Sequence, residues 1–112
     1  MIKAELERDA HGAMLEISGH AGLAPRGEDL LCAAVSALIY GLCAYVRSLE
    51  KKGFVMADSK VEIGPGEARI YLHPDPQVRE QAQGAFDLAA EILTILGKNF
   101  PENIHFTEKK EN

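Results

Sequence analysis

Asp29-Leu30-Leu31-Cys32-Ala33-Ala34-Val35-Ser36 opens the long apolar stretch of the chain, which runs on to Lys51-Lys52-Gly53. Asp29 is a good N-cap, because a short carboxylate accepts hydrogen bonds from the free N–H groups of a first helical turn. Lys51 and Lys52 complement the negative end of a helix, and Gly53 is placed to stop it. The stretch therefore reads as a helix from Asp29 through about Lys52. Apolar residues go almost all the way round its first half, so it is expected to be largely buried. The run from Leu30 to Val46 is at the short limit for a membrane span. It is also diluted by alanines, Ser36 and Gly41, which favours a core helix.

On the N-terminal side the period changes to two. Ile2, Ala4 and Leu6 alternate with Lys3, Glu5 and Glu7, the pattern of a half-buried strand. Asp9-Ala10-His11-Gly12 supplies turn residues and Ala13, Leu15 and Ile17 resume the alternation, which predicts a hairpin. Gly22 to Glu28 holds two glycines and a proline and reads as a mobile loop.

Beyond the helix, Val61-Glu62-Ile63 and Ala68-Arg69-Ile70-Tyr71-Leu72 flank Gly64-Pro65-Gly66-Glu67 as a second hairpin. Asp75 caps a second helix with Pro76 at its first position, and Gly97 and Pro101 mark its end. Val78, Ala82, Ala85, Phe86, Ala89, Ile92, Leu93 and Leu96 form that helix's apolar face. Ile104 to Thr107 reads as a last short strand and Glu108 to Asn112 as a solvated, flexible tail. The expected class is α+β, in the order ββαββα with a final β. A largely antiparallel sheet of two hairpins carries two long helices on one face, in a single domain spanning residues 1–112.

Length, charge and cysteine count narrow the function. A chain of 112 residues with 46% apolar and 26% charged content has the composition of one globular core. A net charge of −5 argues against non-specific nucleic-acid binding, while an acidic surface suits a basic protein partner. Cys32 and Cys43 have no CxxC spacing, so neither a disulfide framework nor a zinc site is expected, and eleven residues of helix hold their sulfurs about 16 Å apart. The start, Met1-Ile2-Lys3-Ala4-Glu5-Leu6, lacks the apolar region of a secretory signal, which points to the cytoplasm. No metal-ligand spacing joins His11, His20, His73 and His105, and no cofactor is expected.

Cys32 and His20 carry the chemistry. Capping by Asp29 puts Cys32 in the first helical turn, where free N–H groups and the helix dipole favour a thiolate. The same N–H groups are placed to hold an oxyanion. His20, twelve positions earlier beside the loop, offers a base that works near neutral pH. Each residue also has a plainer reading. A cysteine in an apolar helix is often a small core hydrophobe, and Cys43 in mid-helix is read that way. A lone histidine is often a surface residue. If the second strand runs through Gly19, alternation puts His20 on the face of Met14, Glu16 and Ser18. Ser36, one turn beyond Cys32, either serves the thiol or bonds its own helix, and Arg26 is a substrate contact or simply solvated.

Ser18-Gly19-His20-Ala21 followed by Gly27-Glu28-Asp29-Leu30-Leu31-Cys32-Ala33-Ala34-Val35-Ser36-Ala37-Leu38 resembles the signature of the bacterial ribosomal-processing cysteine proteases, the Prp family. The likeness extends to length and element order. It implies a cysteine endopeptidase that removes the N-terminal extension of an L27-type large-subunit ribosomal protein. By position, Cys32 matches the nucleophile, His20 the general acid/base, and Asp29 and Ser36 supporting polar positions. The loop with Gly22, Arg26 and Gly27 matches a segment that gates the site. The resemblance also implies a homodimer with a basic ribosomal protein as substrate, and no nucleic-acid or membrane partner. Many relatives carry Asp-Ile-Val-Cys at Asp29-Leu30-Leu31-Cys32 and an aromatic within Leu23-Ala24-Pro25-Arg26. Two other classes fit the same residues. One is a non-catalytic ribosome-associated or assembly module, the other a different thiol-dependent enzyme.

Overall fold

The computed structural model describes residues 1–22 and 29–111. Seven elements form the core of the chain: β1 (Ile2–Arg8), β2 (Ala13–Gly19), α1 (Leu30–Lys51), β3 (Lys60–Gly64), β4 (Glu67–Leu72), α2 (Arg79–Asn99) and β5 (Ile104–Lys110). The strands make one sheet in the order β3-β4-β2-β1-β5. The β1–β2, β2–β4 and β3–β4 pairings are antiparallel. β5 lies parallel to β1, so the sheet is mixed. The expected α+β class and helix placement hold, with the parallel edge added by the chain's return through α2.

Alternation decides which face is covered. Ile2, Ala4, Leu6, Leu15, Ile17, Ile70 and Leu72 are buried, while the intervening residues form an open, charged face. Both helices pack on the apolar face: Leu42, Cys43, Val46 and Leu49 of α1 join Ala82, Phe86, Ala89 and Leu93 of α2 in one core. The α1 boundaries follow the sequence: the Asp29 carboxylate accepts from the Cys32 N–H at 3.0 Å, and Gly53 adopts φ +78 just past the end.

Three expectations change. α1 is not largely buried: Ala33, Ala34, Ala37, Tyr40, Gly41 and Ala44 are exposed, because only one side of the helix meets the sheet. Asp75 caps a short 3-10 turn over Pro76–Val78 rather than α2 itself, which begins at Arg79. β5 continues to Lys110, so residues 108–110, though exposed, are strand paired to Leu6–Arg8 rather than tail.

Candidate active site

Cys32 sits in the first turn of α1, partly exposed, and its Sγ accepts a hydrogen bond from the Ala21 N–H at 3.3 Å. The segment leaving β2 is thus brought onto the thiol. Of the first-turn donors, the Cys32 N–H goes to the Asp29 carboxylate and the Ala33 N–H to the Asp29 carbonyl, at 3.0 Å each. The sequence assigns the helix N–H groups to an oxyanion. In the structure those two are engaged, and the donor directed at the sulfur comes from Ala21. Asp29 is itself buried, its carboxylate held in capping.

His20 does not follow the strand alternation. Gly19 has φ +93, and a Cβ there would fall 2.2 Å from the Met1 carbonyl oxygen, so glycine is required. The left-handed residue ends the pleat before His20. The imidazole then lies against the β3–β4 turn, where a Cβ on Gly66 would come within 3.2 Å of Nε2. The Gly19 N–H donates to the Gly66 carbonyl at 2.8 Å, fixing the β2 end to that turn.

A cavity of about 320 Å³ holds both reactive side chains. His20, Cys32, Ser36 and Tyr40 line it with Gly66 and Glu67 of the second hairpin, and Ile17, Val35, Ile39 and Ile63 add apolar wall, so the lining is mixed in polarity. His20, Cys32 and Ser36 thus line one pocket. Asp29 stands at the helix cap. Gly22 adopts φ +69, with nothing among the described residues within 4 Å of a Cβ built there, whereas Arg26 and Gly27 of the expected gating loop lie outside the described residues.

Cys43 is the contrast within the same helix. It is 2% exposed, and burial pushes its thiol up, with Arg47 only partly offsetting this. Its place in the core agrees with its mid-helix position. Glu67, Tyr40 and Asn103 are not marked by the sequence. Glu67 and Tyr40 reach the cavity through tertiary packing. Asn103, between α2 and β5, donates its side-chain amide to the Ala21 carbonyl at 2.8 Å, across 82 positions of sequence. No local pattern signals such a contact.

A model of the family described as Cysteine protease Prp matches residues 1–105. A ribosomal processing cysteine protease Prp of Bacillus subtilis is 29% identical, the match covering 96% of each chain. A protein of the same name from Mycoplasma genitalium is 28% identical over 97% of each chain. Among solved structures, a Streptococcus mutans protein superposes with a TM-score of 0.68 at 26% identity, covering 99% of this chain and 96% of that one. Prp from S. aureus, in complex with a covalently linked product peptide, gives a TM-score of 0.70 at 19% identity, covering 97% of this chain and 100% of that one.

Proposed function

Since the chain belongs to the Prp family of cysteine proteases, we propose that it is the endopeptidase that removes the N-terminal extension of an L27-type large-subunit ribosomal protein, with Cys32 as nucleophile and His20 as general acid/base. The observation that carries this reading is the shared cavity in which a partly exposed thiol, already receiving an N–H bond, faces the same space as an exposed imidazole. That N–H is a hydrogen-bond donor set 3.3 Å from the sulfur by the segment leaving β2.

In this mechanism His20 takes the Cys32 proton, and the thiolate attacks the scissile carbonyl carbon as the carbonyl π electrons move to oxygen. The tetrahedral intermediate collapses as His20 protonates the departing amine, leaving a thioester on Cys32. Water, deprotonated by His20, then attacks the thioester; the acid product leaves and the thiolate is restored. The Ala21 N–H, 3.3 Å from Sγ, is close enough to serve the oxyanion that forms beside the sulfur. Asp29 fixes the helix turn that carries Cys32, and Ser36 offers a hydroxyl at the cavity wall. Gly22, Arg26 and Gly27 belong to the segment assigned to gating.

Names of relatives support the substrate, since two of them are called ribosomal processing proteases. The net charge of −5 suits a basic ribosomal protein, and no nucleic acid, membrane, metal or cofactor enters the reaction. We place the enzyme in the cytoplasm, where its thiols stay reduced. We also assign it a homodimeric state. The exposed face of α1, with Ala34, Ala37 and Gly41 lining an apolar crevice of about 500 Å³ against Leu88 and Ile92 of α2, would be covered by a second copy.

Mass spectrometry of the organism's L27-type protein after incubation tests the reading. A single N-terminal cut by wild type and by Cys43→Ala is expected. Cys32→Ala should lose about 10⁴-fold or more in rate, and His20→Ala about 10²- to 10⁴-fold. No cut by a folded wild-type enzyme would move the weight to a binding module or to another substrate.

A further inference from the structure

Ala21 is held from both sides. Its N–H donates to the Cys32 Sγ at 3.3 Å, and its carbonyl accepts the Asn103 side-chain amide at 2.8 Å. The residue as a whole is 2% exposed. Next in the chain is Gly22 at φ +69, with nothing among the described residues within 4 Å of a Cβ built there. Without a Cβ, glycine takes this left-handed φ at no steric cost. The Asn103 amide is thus a fixed point between the His20-Ala21 segment and a permissive glycine.

Asn103 is itself firmly placed. Its backbone N–H donates to Phe100 at the end of α2, and its carbonyl accepts from Ile2 at the start of β1, at 3.0 and 2.8 Å. Neither bond involves the side chain, which leaves the amide group to act on Ala21. We infer that Asn103 is a positioning residue for the thiol site, acting through Ala21: by bonding the Ala21 carbonyl it holds the preceding N–H on Cys32 and fixes the segment that carries His20. The inference rests on Cys32 being the nucleophile of the proposed peptidase. Reacting groups displaced by about 1 Å lose up to about a hundredfold in rate, which sets the size of effect to expect.

Wild type, Asn103→Ala and Asn103→Asp are compared on a peptide spanning the extension junction of the L27-type protein, with Cys32→Ala as reference. Iodoacetamide at pH 7 reports the reactivity of Cys32 separately. Asn103→Asp keeps the size of the side chain but presents a carboxylate oxygen to the Ala21 carbonyl, so it removes the donor and carries the test if Asn103→Ala folds poorly. Both variants should lower kcat by about tenfold to a hundredfold, leave KM within about twofold and slow alkylation of Cys32. Wild-type kcat and alkylation rates in the folded variants would overturn the inference. So would a loss of activity that only follows the folded fraction. Full cleavage by Cys32→Ala would instead overturn the parent reading, while the alkylation rates would still judge Asn103.

Discussion

Two cysteines on one helix differ because one lies at its mouth and the other in its middle. Cys32 meets an N–H from outside the helix, and Cys43 meets only core. Burial raises the Cys43 thiol, so at a given pH less of it is thiolate than for an ordinary cysteine. Native protein treated with iodoacetamide at pH 8 should therefore take one adduct, on Cys32, and a second only after unfolding. Peptide mapping that finds Cys43 labelled as fast as Cys32 would contradict this assignment. Gly19 shows how one residue redirects a site. With a side chain it would strike the Met1 carbonyl, and without its φ of +93 His20 would continue the open face of the sheet. Gly19→Ala should cost about 2–4 kcal/mol in urea unfolding, combining left-handed strain with a backbone clash.

α1 carries the site on its first turn and the core on its sheet-facing side. Its N-cap joins these roles, because the carboxylate that closes the helix also engages the N–H of Cys32. Asp29→Ala should lower stability by about 1 kcal/mol and also reduce kcat, whereas Asp29→Asn, which keeps an acceptor, should recover most of the stability. Equal stability of the two variants by thermal unfolding would show that capping is not what Asp29 does. The β3–β4 hairpin is the second element of the site. Pro65-Gly66, with Gly66 at φ +73, makes the tight turn against which the imidazole rests. Hairpin and helix thus form opposite walls of the cavity.

The parallel return of β5 ties the ends of the chain together. Arg8, on the buried face of β1 and 8% exposed, pairs with Asp87 of α2 and with Glu108 of β5, the latter through Nε at 3.0 Å. Burial works against the guanidinium charge, but the two carboxylates outweigh it and hold Arg8 protonated more firmly than usual. Removing Arg8 strands the Glu108 charge in a half-buried place, so Arg8→Ala should lower unfolding free energy by about 3 kcal/mol. A loss below about 1 kcal/mol would class these pairs with ordinary surface ion pairs. The same end-to-end closure brings Asn103 to Ala21 at the opposite end of β1 and β5. The fold's last connection therefore serves both stability and the placement of the thiol site.

Sequence alone determined what depends on neighbours along the chain. The alternation of Ile2, Ala4 and Leu6, the Asp29 cap, the Gly53 stop and the Pro65-Gly66 turn are local physics, and each stands where its pattern puts it. The sequence also singles out Cys32, in a first helical turn, and His20 twelve positions before it, and both line one pocket. Tertiary structure decided what depends on contacts between distant residues. It set the parallel β1–β5 pairing, the one-sided burial of α1, and the passage of residues 108–110 from tail to strand. It also chose the Ala21 N–H as the sulfur's partner and Asn103 as Ala21's anchor. A hydrogen bond between residues tens of positions apart leaves no period or spacing behind, because closing a long loop depends on the packing of everything between its ends.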